Sequence, residues 1–275
     1  MNSRAARFLC IVILAALFHQ AGAGSAFAYW RGMVGAEQEA AADAAVAQAA
    51  APPSSTQAAE PWLDDDDFLD FVPRLIPDPL EGWNRAVFAF NDVVIEHAAK
   101  PVYRGYEYIT PAFMRSGLKN FFHNLAFPVR FTNNLLQGRG KAAGVEMSRF
   151  VLNTTAGLGG LFDVAKHHEP IVEVHDKDFG LTLGVWGAGE GFYIVWPFFG
   201  PSTVRDSVGR VGDYFLQPLT YVQPWELSLG AKALSAFNDL DEVLDLYDNL
   251  KRNAIEPYSA MRDAYVQYRR AQVLR

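Results

Sequence analysis

Apolar residues recur at helical spacing over most of this chain, and the places where that spacing breaks mark the predicted elements. Trp83, Val87, Phe90, Val94 and Ile95 step by three or four along one face. Asp78 is placed to cap that helix, with Pro79 at its first position and Glu81 three residues after the cap. Lys100-Pro101 is expected to end it near Ala99. A second helix is predicted over Pro101 to Tyr108, and a third, capped by Thr110-Pro111, carries Phe113, Leu118, Phe121 and Phe122. Toward the C-terminus, apolar positions from Leu227 to Leu250 read as one amphipathic helix, its other face carrying Asp239, Asp241, Glu242, Asp245 and Asp248. A last helix starts near Pro257, with Tyr258, Met261, Tyr265 and Tyr268 on one face. Arg269, Arg270 and Arg275 lie near its end, where the helix dipole favours positive charge. Period-two alternation is confined to Ile171–His175. The expectation is a mostly helical fold.

Three segments depart from this pattern. Gly180 to Val204 spans 25 residues with one charge, Glu190, and holds six glycines, two prolines and six aromatic rings. Its apolar length would suit a membrane span, but Gly187, Gly189, Gly191 and Pro197 interrupt any single helix. Phe121 to Leu136 carries four phenylalanines and one formal charge, Arg130, yet asparagines recur at 124, 133 and 134, and Pro128 should divide it. After Gly138 and Gly140 a helix is expected from about Lys141. It leads into a run from Phe150 to Ala165 whose Gly157, Gly159 and Gly160 permit close helix approach.

The N-terminus reads as a secretory signal peptide over residues 1–28. Arg4 and Arg7 precede an apolar stretch from Phe8 to Leu17, and Ala26-Phe27-Ala28 offers a cleavage site. Cys10, the sole cysteine, lies within the apolar stretch, so neither a disulfide nor an acylated N-terminal cysteine is expected after cleavage. Loss of Arg4 and Arg7 moves the formal charge from −7 to −9, which argues against nucleic acid as a partner. Residues 29–67 read as an Ala-rich spacer ending in four carboxylates, Asp64 to Asp67. Residues 68–275 are expected to form one domain.

Catalytic chemistry is sparse. His167-His168-Glu169 with Glu173, His175 and Asp176 offers groups that ligate transition metals, but it lacks a helical i, i+4 histidine pair and Pro170 divides it. A polar surface loop accounts for it equally, and no metal or other cofactor is predicted. No Gly-x-Ser-x-Gly elbow is present. Ser202, after Pro201, is expected to cap a helix beginning near Val204. Gly138-Arg139-Gly140-Lys141 lacks the remaining spacing of a phosphate loop, and Gly157-Leu158-Gly159-Gly160 follows no strand. Arg205-Asp206 reads as a clasp at a helix start. An exported domain with broken apolar segments and no catalytic constellation points to handling of an apolar ligand or a membrane.

Dispersed motifs carry a family resemblance. They begin with Asp78-Pro79-Leu80-Glu81-Gly82-Trp83-Asn84-Arg85 and Phe88 to Asn91. Pro128, Asn133, Leu136-Gln137-Gly138, Arg149-Phe150 and Asn153-Thr154 follow. Asp178-Phe179-Gly180, Thr182-Leu183-Gly184, Gly191, Tyr193, Pro197, Gly200-Pro201-Ser202 and Arg205-Asp206 continue the series, which closes on Tyr258 and Arg262-Asp263-Ala264-Tyr265. In these positions, in this order, the chain resembles the MlaA/VacJ family of outer-membrane phospholipid transport proteins over about Ile76 to Gln272.

The resemblance implies a ring-like, membrane-embedded helical domain of broken amphipathic helices in the periplasmic leaflet, with a central amphipathic channel. It implies removal of phospholipid mislocalised to the outer leaflet, delivery to a periplasmic carrier protein, association with a porin trimer, and no enzymatic activity. Candidates for the polar track of such a channel are Asn124, Asn133, Asn153, Glu190 and Arg205. Structural roles are expected for the motif residues Asp78, Pro79, Glu81, Gly82, Asn84, Arg85, Asn91, Gly180, Gly200, Pro201 and Asp206. Many members carry an acylated N-terminal cysteine, which this chain is expected to lack. Two other readings are a secreted lipid hydrolase centred on His167–Asp176 and a structural envelope protein that only binds a porin.

Overall fold

A computed structural model describes residues 76–168 and 177–274. The leader, the spacer, the acidic run, and the whole Glu169–Asp176 segment with its candidate ligands and its period-two stretch lie outside the described residues. Ten α-helices and one hairpin form the described part. They are α1 (Glu81–Val94), α2 (Lys100–Ile109), α3 (Ala112–Leu125), α4 (Phe127–Leu136), α5 (Gly140–Thr155) and α6 (Phe179–Val185), followed by β1 (Tyr193–Trp196) and β2 (Gly200–Thr203). Then come α7 (Val204–Leu216), α8 (Trp225–Asn238), α9 (Leu240–Asn253) and α10 (Pro257–Leu274). The mostly helical expectation holds. No helix among the described residues is long and apolar enough to cross a membrane.

The division at Pro128 is as expected: α3 ends at Leu125 and Pro128 sits in the first turn of α4, where its missing N–H costs no helical bond. Lys100-Pro101 behaves otherwise. A π-helical segment, Ile95–Ala99, joins α1 to α2, and the backbone stays right-handed helical through Lys100. The Lys100 N–H reaches back five residues to the Ile95 carbonyl. The wider turn just ahead of Pro101 accommodates a residue that lacks an N–H, so the proline is absorbed where it was expected to break the helix.

Asp78 does not cap α1. Its carboxylate instead accepts from Asn84 Nδ2 at 2.7 Å and from the Tyr258 hydroxyl, tying the start of α1 to α10. The long helix expected over 227–250 is two helices, α8 and α9, divided at Asp239. At that joint the Asn238 side chain donates to the Arg115 carbonyl and accepts from the Tyr106 hydroxyl, fixing the end of α8 against α2 and α3.

The hairpin has no counterpart among the elements the sequence pattern predicts. Its register pairs Tyr193 with Thr203 and Trp196 with Gly200. Burial alternates along β1, with Tyr193 and Val195 inside and Trp196 exposed. Four residues are too few for that alternation to stand out among continuous apolar neighbours. Tyr193 and Val195 join Ile76, Val87, Tyr258 and Tyr265 in one apolar cluster. Ile95, Tyr103, Leu244 and Tyr247 form a second between α2 and α9.

Glycines allow the closest helix contact. A Cβ on Gly209 of α7 would fall on the backbone nitrogen of Gly180 and lie 2.5 Å from its Cα, so α6 and α7 meet backbone to backbone. Gly157 and Gly160 act differently from the helix-packing role expected of them. They sit in the turn after α5, where a Gly157 Cβ would meet the Asn153 carbonyl oxygen at 2.5 Å and a Gly160 Cβ the Asn124 side chain at 2.6 Å.

Gly209→Ala should lower stability by about 2–4 kcal/mol, because backbone cannot yield as a side chain does. Gly230→Ala on α8, where a Cβ meets nothing within 4 Å, should be neutral or stabilising by up to about 1 kcal/mol. Thermal denaturation in detergent compares the two.

Candidate functional site

The most densely bonded group of buried polar side chains lies where α4, α6, α7 and α10 meet. Arg269 of α10 is its centre. Its Nε and Nη2 donate to the two oxygens of Asp206 at 2.9 and 2.7 Å, and its Nη1 and Nη2 donate to those of Asp178 at 2.7 and 2.9 Å. The sequence placed Arg269 as a dipole partner at a helix end; it is buried and bridges two helix starts instead. Asp178 caps α6 by accepting the Leu181 N–H at 2.8 Å. Asp206, in the first turn of α7, also accepts the Tyr265 hydroxyl at 2.8 Å. Thr203, not Ser202, caps α7, accepting the Asp206 N–H at 3.2 Å. Ser202 is buried, with its hydroxyl 3.0 Å from that of Ser207. Gly180 packs against Asp206 and Arg269, leaving no room for a side chain.

A hydrogen-bonded relay extends this group to α4. Gln137 Nε2 donates to the Thr182 hydroxyl at 3.0 Å, which donates to Asn133 Oδ1 at 2.8 Å. Asn133 Nδ2 in turn donates to Asp213 at 2.9 Å. Asp213 also accepts the Phe179 N–H at 3.1 Å. Burial and then the nearby Asp178 charge push the Asp213 carboxyl up to about 7, against the pull of the Phe179 N–H, Asn133 and Arg269. Burial also pushes Asp206 upward, but Arg269, Arg205 and Tyr265 outweigh it and hold that carboxyl well below the usual range.

The five polar-track candidates fall in three places. Asn133 belongs to the relay above. Arg205 and Glu190 border it: the Arg205 N–H donates to the Glu190 carbonyl at 3.2 Å, while the Glu190 carboxylate takes Arg270 at 2.8 and 3.1 Å. Arg205 Nε reaches Asp206 at a long 3.3 Å, a weaker form of the expected clasp, since Arg269 is the main partner of Asp206. Asn124 and Asn153 lie in a separate group around the turn after α5. Asn124 donates to Thr154 at 3.0 Å; Asn153 donates to Asp163 at 2.9 Å and accepts the Ala165 N–H at 3.0 Å. Arg149 completes that group with an ion pair to Asp163 at 2.9 Å.

The motif residues of α1 clamp the hairpin. Asn84 donates to the Tyr193 carbonyl at 3.1 Å and accepts the Val195 N–H at 2.8 Å. Asn91 repeats the pattern with the Trp196 carbonyl and the Phe198 N–H, at 3.0 and 2.8 Å. Each amide thus stands in for a strand's peptide group at the open edge of β1. Arg85 pairs with Glu81 and Glu256 and lies over the Tyr258 ring. Gly82 sits in the first turn of α1, and Pro79 precedes that helix. Gly200 supplies the positive φ of 69° at the start of β2, and the Pro201 carbonyl accepts from Arg210.

One cation went unnoticed in the sequence. Lys232 of α8 is 5% exposed, yet among the described residues its ammonium meets only the Thr220 hydroxyl, at 3.4 Å, and the Tyr214 ring face, at 5.1 Å. Burial lowers its pKa, with no carboxylate to offset the loss of water. A single lysine in a helix gives no sign of this from sequence. His167 and His168 are exposed, and no metal-holding cluster of His, Cys, Asp or Glu exists among the described residues.

These features, a helical domain with buried ionic junctions and exposed apolar helix faces, define a class that comparison makes specific. The family model for the MlaA lipoprotein matches residues 76–272. The chain is 38% identical over 192 residues to the intermembrane phospholipid transport system lipoprotein MlaA of Escherichia coli K12, covering 69% of this chain and 76% of that one. It is 35% identical over 196 residues to the protein of that name from Haemophilus influenzae, with the same coverage. A solved chain from work on the structural basis for maintenance of bacterial outer membrane lipid asymmetry superposes with a TM-score of 0.64 at 35% identity. It spans 72% of this chain and 99% of its own length. The chain belongs to the MlaA family.

Two outcomes test the junction. Arg269→Met should destabilise by about 3–5 kcal/mol, because buried Asp206 would lose its main cation and partly exposed Asp178 its ion pair. The elevated Asp213 carboxyl means that the folded state holds a proton the unfolded chain releases from about pH 4 upward. Its contribution to stability is therefore fully present below that pH and is lost as pH rises through about 7. Asp213→Asn should flatten this part of the stability profile in a pH series of thermal melts.

Proposed function

We propose that this chain is an outer-membrane phospholipid transport protein that maintains lipid asymmetry, embedded in one leaflet through the outer faces of its helices. The observation that carries the reading is an inverted distribution of polarity. Trp83, Phe90, Phe113, Trp186, Phe215 and Trp225 are exposed, whereas Arg130, Glu146, Arg149, Asp206 and Arg269 are buried. A water-soluble surface would not present so many large apolar side chains. Facing acyl chains, they need no cover, and the charges inside keep partners. Helices too short or too polar to span, yet apolar on one side, suit residence in a single leaflet. The role for which the E. coli and H. influenzae relatives are named, intermembrane phospholipid transport, supports the same reading.

In the finer form of this proposal the domain lies in the periplasmic leaflet as a ring around an amphipathic channel. It takes phospholipid mislocalised to the outer leaflet, passes it to a periplasmic carrier and rests against a porin trimer. Asn124, Asn133, Asn153, Glu190 and Arg205 keep their place as candidate polar-track residues. Each already has a protein partner, so lipid would meet them as parts of bonded groups. Lys232 joins them, because an ammonium buried beside Tyr214 without a carboxylate suits a lipid phosphate. The chain is proposed to be held in the membrane through its apolar surface.

The protein should leave membranes in detergent and remain through a high-salt wash, and phospholipid should copurify with it. Recovery as a salt-released, lipid-free protein would sink the proposal. Lys232→Glu should reduce the copurified phospholipid about tenfold, the effect of removing one charge-assisted contact and adding a repulsion. Phosphorus quantification of purified samples reads the change.

A further inference from the structure

We propose that the Arg205 guanidinium binds the phosphodiester of a glycerophospholipid at the C-terminal end of α6. This rests on the lipid-transport reading and assigns one residue within it. Arg205 is 6% exposed, yet its side chain makes one hydrogen bond, the 3.3 Å contact from Nε to Asp206. That carboxylate already takes two donors from Arg269 and the hydroxyl of Tyr265. Glu190 is the other acid bonded to this segment. It offers Arg205 only its backbone carbonyl and commits its carboxylate to Arg270. Arg205 Nη2 is enclosed and has no partner among the described residues. A planar cation that forms two parallel bonds in its preferred setting thus has one long one.

The surroundings indicate what completes it. The backbone N–H groups at the start of α7 are occupied: Val204 bonds the Phe192 carbonyl, Arg205 that of Glu190, and Asp206 the Thr203 hydroxyl. The demand therefore lies in the side chain and not in the helix end. The guanidinium packs against Gly184, where a Cβ would stand 3.0 Å from Nη1 and 2.7 Å from a Val273 methyl. Immediately beyond Gly184, Val185 and Trp186 are exposed. A buried cation lacking a full counter-charge therefore borders apolar surface. A water molecule would satisfy one N–H but would leave the charge uncompensated. A phosphodiester supplies two oxygens and a negative charge, and its acyl chains suit Val185, Trp186 and Val273.

The test uses detergent-purified full-length protein. Arg205→Gln should lower copurified phospholipid about tenfold, with Arg205→Lys losing less because charge is retained. In a second experiment, p-benzoylphenylalanine replaces Val185 with Arg205 intact, so the result does not depend on folding of an Arg205 variant. Illumination should attach dihexanoylphosphatidylglycerol but little dihexanoylglycerol, and excess inorganic phosphate should not abolish the adduct. Equal labelling by both lipids, no phosphatidylglycerol adduct, or full displacement by inorganic phosphate would overturn the assignment. So would unchanged phospholipid content in a folded Arg205→Gln protein. Wild-type protein that carries no phospholipid would instead overturn the transport reading itself, and this inference with it.

Discussion

The constraint on which this structure most depends is that two carboxylates at the starts of two helices, one buried and one partly exposed, require one cation. Asp178 opens α6 and Asp206 lies in the first turn of α7, and Arg269 from the last helix spans both through four hydrogen bonds. Removing any member leaves charge in a low-dielectric interior, where an unpaired ion costs far more than a surface pair contributes. The geometry then propagates. Carboxylates held that near one guanidinium bring the helix starts together, and only glycine at 180 and 209 lets the backbones approach so closely. Helix α6 is seven residues long and would be marginal alone. The Asp178 cap, the Phe179 bond to Asp213 and the contact with α7 hold it in place.

The same junction orders the outside. With Arg, Asp and Asn side chains bonded inward, α7 turns Val208, Val211 and Phe215 outward. The hairpin repeats the principle in neutral form. Asn84 and Asn91 supply amide groups to β1 and the turn after it, so a two-stranded sheet that would be marginal in isolation is stitched to a helix. Polar bonding inside and apolar area outside are the conditions under which a short-helix domain sits in lipid without exposing unpaired backbone. Arg205 and Lys232 are exceptions to full pairing among the buried cations, and both border exposed apolar or aromatic side chains.

Much of the helix plan was legible because amphipathic periodicity survives in residues such as Val87, Tyr258 and Tyr265, and because Pro128 falls where a new helix can start. Lys100-Pro101 misled. Proline is costly inside an α-helix, but a π turn before it changes which bonds are required. Asp78 misled in another way, since a capping side chain can be claimed by distant donors, here Asn84 and Tyr258. The division at Asp239 was hidden because Leu240 and Leu244 continue the apolar spacing while Asn238 answers to Arg115 and Tyr106, far away in sequence.

Sequence alone determined the family, the helical character and the broken nature of the 180–204 segment, because these rest on local spacing and on motifs that need no partner to be read. The tertiary structure decided what the polar residues do. It made Arg269 a bridge between helix starts instead of a dipole partner, gave α7 its cap from Thr203 and not Ser202, and set Asn133 in a relay ending at Asp213. It also left Lys232 and Arg205 buried without full counter-charge. A charge or hydrogen-bond donor in a helix reads alike whether its partner is one turn away, a hundred residues away or absent. Only the fold fixes which, because burial and distance set the energy of the pair.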